Sequence, residues 1–314
     1  KNFNKLTNDS IISSLQNVYA LCKGSFSVII MISDYGLIFF RDKHGIRPLV
    51  YSIENSCITV SSESTALHSK NYYNVKNGEV CIVDKELNLN KFKLFNYPLR
   101  PCIFEYIYFA NAESYINDIL VYDFREKVGE TILKSIKKQD IDDIDIIVPI
   151  PMTSIISATT IANKLNKPLK YAVLKNRYTH RTFINKDNDI LENIRKIKIV
   201  SKLVENKNIL LVDDSIVRGN TIKYIIEELK KTKVNKIYFA SCSPPVKFPN
   251  RYGIAIPTKE ELIANDNSID EIKNLLKLDG LYYLSLNSVL SILNNLNKNI
   301  ICFEDSSFSG VYIE

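Results

Sequence analysis

The densest run of reactive side chains in this 314-residue sequence is Asp213-Asp214-Ser215-Ile216-Val217-Arg218-Gly219-Asn220-Thr221, which follows the apolar stretch Ile209-Leu210-Leu211-Val212. An uninterrupted apolar stretch of that length fits a strand buried on both faces of a parallel sheet. Such sheets bind ligands beyond the carboxyl ends of their strands, which places Asp213 and Asp214 over the crevice. Carboxylates there can accept hydrogen bonds from a sugar diol. The hydroxyl and glycine residues that follow lead into a helix whose free N–H groups and dipole favour a phosphate. Two adjacent aspartates alone would as readily end a strand and cap a helix; the Ser-Ile-Val-Arg-Gly-Asn-Thr that follows is what makes the pattern specific.

A second apolar run, Ile146-Ile147-Val148-Pro149, also leaves through a loop, Ile150-Pro151-Met152-Thr153-Ser154, toward a helix. That loop can present backbone N–H groups to a pyrophosphate. A pyrophosphate calls for a hard cation, and Mg²⁺ takes oxygen ligands. The Thr153 hydroxyl could reach such an ion.

These residues must be held by an alternating fold. Apolar runs at 144–149, 169–174, 209–212 and 236–241 are separated by helical patterns near 157–165 and 220–231, and a long helical stretch at about 119–138 precedes them. Strands alternating with helices predict an α/β unit with a parallel sheet. Residues 259–297 return to helical periodicity around one strand-like piece at 281–284. Upstream, residues 24–60 alternate as short strands broken at Asp34-Tyr35-Gly36 and His44-Gly45, two further strands follow at 80–83 and 92–95, and a helix at about 9–22 precedes them all. The double-proline segment Asn96 to Pro101 is the expected domain junction, giving domains 1–97 and 98–314.

Composition excludes several classes. Hydrophobic residues make up 46% and charged residues 24%, which is ordinary for a globular chain with a sizeable core. No stretch of about 18 uncharged apolar residues occurs, and Lys1 to Ser10 lack a secretory apolar region. The expectation is a cytoplasmic protein without a membrane partner. The net charge of +6 comes mainly from lysines dispersed among acids, so nucleic acid is not an expected partner and anionic small molecules are. Cys22, Cys57, Cys81, Cys102, Cys242 and Cys302 have no metal-ligand spacing and read as buried thiols of a reducing compartment.

The Asp-Asp loop resembles the phosphoribosyl-pyrophosphate signature of type I phosphoribosyltransferases. Further stretches narrow the resemblance: Cys102 to Ala110, Lys175-Asn176-Arg177-Tyr178, Arg181-Thr182-Phe183-Ile184, Gly24-Ser25-Phe26, Arg41-Asp42, Gly45 to Leu49, Ser62-Glu63-Ser64, Phe248 to Gly253 and Glu261 to Ala264. Over nearly its whole length the chain is similar to the glutamine phosphoribosylpyrophosphate amidotransferase family. That resemblance implies a type I phosphoribosyltransferase domain, a parallel sheet with helices on both faces, preceded by the later part of an N-terminal nucleophile hydrolase (α+β) glutaminase domain. It implies the first step of de novo purine synthesis: phosphoribosyl pyrophosphate and glutamine give 5-phosphoribosylamine, pyrophosphate and glutamate, ammonia passing between two sites.

By the same resemblance Asp213 and Asp214 would bind ribose and metal, Thr153 the metal, and Ser215 with Arg218, Gly219, Asn220 and Thr221 the 5-phosphate, while Lys175, Arg177, Tyr178 and Arg181 belong to a catalytic loop that closes over the substrate and excludes water. Purine nucleotides are implied as feedback inhibitors, and a homo-oligomer as the assembly. The family's glutaminase nucleophile is a cysteine at the mature N-terminus. Residue 1 here is Lys and Cys22 lies in the predicted helix, so no glutaminase nucleophile is assigned in this chain, and the expectation is a chain limited to free ammonia. Departures from the family pattern are Met152 for an acidic residue, His180 for glycine, Asn220 for threonine and Lys198 for asparagine. Some members hold an iron–sulfur cluster on four cysteines. Only Cys102 matches, with Asn250, Glu304 and Ser307 at the other positions, so no cluster is expected. The alternatives are a salvage-type phosphoribosyltransferase acting on a nucleobase and a non-catalytic phosphoribosyl-pyrophosphate-binding module.

Overall fold

The computed structural model describes residues 6–67, 69, 71–175, 197–256 and 258–313. The chain opens with α1 (Asn8–Leu21), whose N-cap Thr7 accepts from the Ser10 N–H while the Ser10 hydroxyl takes the Thr7 N–H. Seven strands follow: β1 (Ser27–Ile32), β2 (Gly36–Arg41), β3 (Val50–Glu54), β4 (Cys57–Ser61), β5 (Tyr73–Asn74), β6 (Glu79–Asp84) and β7 (Leu89–Lys93). They form two antiparallel sheets, ordered β1-β2-β6-β7 and β4-β3-β5. Period-2 alternation decides the layers. Ile38, Phe40, Val80 and Ile82 pack under Ile11, Leu15 and Tyr19 of α1, while Phe39, Cys81 and Val83 face Tyr51 of the second sheet and Leu49 just before it.

Beyond the junction come β8 (Tyr115–Ile116), β9 (Ile119–Leu120), α2 (Val121–Ile132), α3 (Lys138–Asp143), β10 (Ile146–Pro149), α4 (Ile155–Leu165), β11 (Val173–Lys175), β12 (Ile197–Ile199), α5 (Ser201–Val204) and β13 (Asn208–Asp213). The rest is α6 (Asn220–Lys230), β14 (Lys236–Ser241), α7 (Ile269–Leu275), β15 (Gly280–Tyr283), α8 (Leu286–Leu296) and α9 (Ser306–Ser309). Strands β10, β13, β14 and β15 make one wholly parallel sheet in that spatial order. Leu210, Val212, Tyr238 and Ala240 point into a core with Phe124, Ile161 and Leu293, from α2, α4 and α8. Ile209, Leu211, Ile237 and Phe239 point the other way, against Ile222, Ile225 and Ile272 of α6 and α7. Helices cover both faces, as in type I phosphoribosyltransferases.

Several local expectations are corrected. The helix expected over 119–138 is broken: Ile119 and Leu120 pair back onto Tyr115 and Ile116, because Asn117 and Asp118 take positive φ (46° and 65°) and close a tight hairpin. Residues 169–174 do not join the sheet as a strand. Leu169 makes a single bridge to Ile147, and Val173–Lys175 pairs antiparallel with Ile197–Ile199. Pro168, which has no N–H, cannot support a longer ladder there. The last strand of the first unit is Leu89–Lys93 rather than 92–95, since the Leu94 and Phe95 N–H groups both turn to the Gly78 carbonyl. Helix does not begin until Ile269 after Lys259, where Ser268 and Glu271 form a capping box. Cys22 and Cys57 are exposed and Cys302 half-buried, so only Cys81, Cys102 and Cys242 are buried thiols. No helix of the described residues is long and apolar enough to cross a membrane.

The motifs of the first unit act as clamps. Arg41, fully buried, donates to the carbonyls of Arg47 (2.8 Å), Val75 (2.9 Å) and Gly45 (2.5 Å). Asp42 accepts the N–H groups of His44 and Ile46. Arg47 reaches across the junction to Glu105 at 2.7 Å, in the π-helical turn Glu105–Phe109. Glu63 accepts from the Asn111 N–H (2.9 Å) and the Ser114 hydroxyl (2.6 Å). The Gly-Ile-Arg-Pro-Leu and Ser-Glu-Ser stretches thus join the two halves of the chain, while Arg41 and Asp42 brace turns within the first.

Candidate functional site

Asp213 ends β13, and Asp214 follows outside the ladder with both side chains half-buried. The Asp214 N–H donates to Asp213 Oδ1 (2.9 Å) and the Ser215 hydroxyl to Asp214 Oδ1 (2.8 Å). Burial, then the neighbouring Asp214, pushes the Asp213 carboxyl well above its ordinary range. Burial likewise raises Asp214 to about 6, against the lowering influence of the Ser215 hydroxyl and the Arg125 charge.

Gly219 is the N-cap of α6 at φ 80°, with no side-chain cap on the helix. The positive φ favours glycine, and a Cβ at Gly219 would lie 2.7 Å from Ile263 Cδ1, so that the end of that side chain would have to move. Ile263 in turn donates its N–H to the Val217 carbonyl, which fastens the Glu261 to Ala264 stretch under the loop. The first-turn N–H groups of α6 have no side-chain cap, the local setting that favours an anion. Asn220 and Thr221 stand exposed on that turn. The Arg218 guanidinium is engaged by Glu261 and reaches the Ala255 carbonyl at 3.5 Å.

Register brings the second strand end alongside: Pro149 pairs with Val212, and the Ile150 N–H donates to the Val212 carbonyl at 2.9 Å. Thr153 thereby shares with Asp214, Arg125, Ser157 and Cys242 the lining of a cavity of about 10 Å³. That holds about one water. Met152 is exposed beside it. Lys175 is exposed at the end of β11, whereas Arg177, Tyr178 and Arg181, with His180, lie outside the described residues.

Two residues here were not singled out by sequence reasoning. Arg125 lies on the buried stripe of α2 with Val121, Val128 and Ile132. An arginine at the i+4 position of an apolar stripe was the available signal. Tyr108 is half-exposed; partial burial, then the charges of Asp214 and Asp213, raise its phenol, so it stands within the field of that pair.

The stretch around Cys102 forms a polar knot. Cys102 bridges to Glu304, the Asn250 amide donates to the Ser307 hydroxyl at 3.2 Å, and the Ser306 N–H donates to Glu304 at 2.9 Å. Burial and Glu304 hold the Cys102 thiol well above the usual range, which favours the protonated form.

Comparison with known proteins agrees with this architecture. Residues 122–243 match the model of the phosphoribosyl transferase domain family. The chain is 38% identical over 321 residues to an amidophosphoribosyltransferase of Pasteurella multocida, covering 98% of this chain and 64% of that protein. It is 38% identical over 317 residues to the amidophosphoribosyltransferase of Escherichia coli, covering 97% and 63%. The chain therefore spans a little under two thirds of the length of these curated relatives. Among solved structures, the glutamine phosphoribosylpyrophosphate amidotransferase of Bacillus subtilis, complexed with ADP and GMP, superposes with a TM-score of 0.84 at 28% identity, covering 99% of this chain and 68% of that one. A structure described as the allosteric regulatory enzyme of purine biosynthesis gives 0.85 at 29% identity, covering 99% and 66%.

Proposed function

We infer that this chain, similar along nearly its whole length to amidophosphoribosyltransferases, is a member of that family and carries its phosphoribosyl-transfer site. The observation that supports the reading most is the end of β13. Paired carboxylates and an uncapped helix N-terminus sit together where a parallel sheet opens.

The substrate in this reading is phosphoribosyl pyrophosphate. Asp213 and Asp214 accept from its ribose hydroxyls, and the N–H groups at Gly219, Asn220 and Thr221, with the Ser215 hydroxyl, hold its 5-phosphate. Arg218 contributes through the loop it pins to Glu261. Ammonia's lone pair forms the bond to C1 as the C1–O bond to pyrophosphate breaks; pyrophosphate leaves with the bonding electrons, and the new ammonium group gives a proton to solvent. The residues accelerate this by aligning C1 and stabilising charge on the leaving group. Lys175, Arg177, Tyr178 and Arg181 are assigned to the segment that excludes water, because a developing oxocarbenium would otherwise be hydrolysed.

The donor set suits Mg²⁺. Among the described residues no three His, Cys, Asp or Glu side chains cluster as a metal site. Asp213, Asp214 and the Thr153 hydroxyl supply hard oxygen atoms, and Mg²⁺ commonly completes its shell with water and substrate phosphates. When bound it would neutralise pyrophosphate charge.

The same proposal takes residues 1–97 as part of a glutaminase domain and 98–314 as the transferase domain, with glutamine the source of ammonia in the whole protein. It includes assembly as a homo-oligomer and purine nucleotides as inhibitors, the latter supported by the ADP and GMP of the Bacillus subtilis structure. Calorimetry of the chain with phosphoribosyl pyrophosphate tests the core of the reading. Saturable binding in Mg²⁺ that disappears in EDTA is expected, and no binding in folded protein would overturn it.

A further inference from the structure

Resting on that reading of the site, we propose that Arg125 is a positioning residue for transfer: a buried cation, clamped from behind, against which the Asp214 carboxylate is set toward the ribose. Arg125 is only 6% exposed, an environment in which a charge requires partners. Its Nε donates to the Tyr106 carbonyl (3.1 Å), and its Nη2 to the carbonyls of Ala110 (2.8 Å) and Tyr108 (3.4 Å). Its own carbonyl accepts the Ser157 hydroxyl at 2.7 Å, which ties α2 to α4. Carbonyls satisfy the N–H groups but not the charge.

The opposite charge is across the cavity. Arg125 and Asp214 both line the space of about 10 Å³, and they are its one cation and its one carboxylate among the described residues. Among the described residues the two form no direct ion pair, so the interaction acts across the shared cavity and Asp214 oxygens remain available to a ligand. Desolvation lowers the Arg125 pKa while Asp214 supports the charged form, consistent with this pairing. The three carbonyls belong to the turn whose Glu105 holds Arg47, so the anchor of the cation is itself braced by the first unit of the chain.

The rival reading is a plain staple, in which Arg125 only ties down residues 106–110. Charge and hydrogen-bond geometry separate the two. Arg125→Lys keeps the charge and loses the fork that serves three carbonyls, while Arg125→Met loses both. Melting temperature and affinity for phosphoribosyl pyrophosphate in Mg²⁺ are measured on both variants and the parent. Both variants should melt lower than the parent. Affinity should fall about tenfold or more in Arg125→Met and stay within about threefold in Arg125→Lys. If Arg125→Met does not fold, Arg125→Gln supplies the neutral arm. Equal losses in the lysine and neutral variants, or no loss in either, would overturn the proposal. Asp214→Asn is run alongside: weakened binding there with normal binding in the neutral Arg125 variant defeats this inference alone, whereas normal binding in both defeats the site reading itself.

Discussion

Replacing Asp214 by Asn removes a charge while nearly keeping the shape, and the structure assigns it two opposite effects. In the folded chain the Asp214 carboxyl is raised from 3.8 to about 6, chiefly by burial. An acid raised in the folded state binds its proton more tightly there than in the unfolded chain. Its contribution therefore favours the fold below about pH 4 and is lost as pH rises through about 6. The stability lost across that window is about 3 kcal/mol at most, and of the order of 1–3 kcal/mol once the Ser215 hydrogen bond is weakened in the variant. Asp214→Asn should thus be more stable than the parent at pH 7.5 in EDTA, with the difference shrinking toward pH 4. Urea melts at the two pH values measure this. The same variant should bind phosphoribosyl pyrophosphate in Mg²⁺ more weakly by roughly 10- to 100-fold, the worth of a charge-assisted hydrogen bond. The double variant with Asp213→Asn should lose binding altogether while remaining folded. A destabilised Asp214→Asn at pH 7.5 would show that burial does not raise this carboxyl, and a variant that binds substrate like the parent would remove Asp214 from the site.

Gly219→Ala should cost about 1–2 kcal/mol, from the left-handed backbone and the contact with Ile263, and should weaken substrate binding by disturbing the loop; urea midpoints and calorimetry read the two effects. Arg41→Met should destabilise the chain by about 3–5 kcal/mol with substrate affinity changed far less than stability, because three carbonyls and Asp42 lose a buried partner away from the β13 loop. Anaerobically purified protein should contain no stoichiometric iron by metal analysis, since Asn250, Glu304 and Ser307 hydrogen-bond one another and their neighbours around a protonated Cys102.

The parallel sheet was legible because its strands are short apolar runs ending in loops with chemistry, and Lys236–Ser241 has the bounds its pattern predicts. The β13 loop was legible for the same reason: local sequence alone dictates a strand, two carboxylates and a glycine turn. What escaped was tertiary. The break at Asn117-Asp118 depends on two residues in the left-handed region that helical periodicity does not register. Residues 169–174 have strand-like content, yet Pro168 and the pairing of Val173–Lys175 with a distant strand decide their fate. Arg125 could be read only as an arginine on an apolar stripe; its opposite charge lies 89 positions away, across the cavity. The exposed Cys22 and Cys57 show that cysteine type alone does not fix burial.

In the proposed function the loop after β13 transfers a phosphoribosyl group. The most direct measurement is pyrophosphate release by a polypeptide of residues 1–314, given Mg²⁺ and phosphoribosyl pyrophosphate with either ammonium at alkaline pH or glutamine. The expected outcome is release with ammonium, loss of that release in the Asp213→Asn, Asp214→Asn double variant, and none with glutamine. Folded protein that binds the substrate yet releases no pyrophosphate with ammonium would contradict it and favour a binding module.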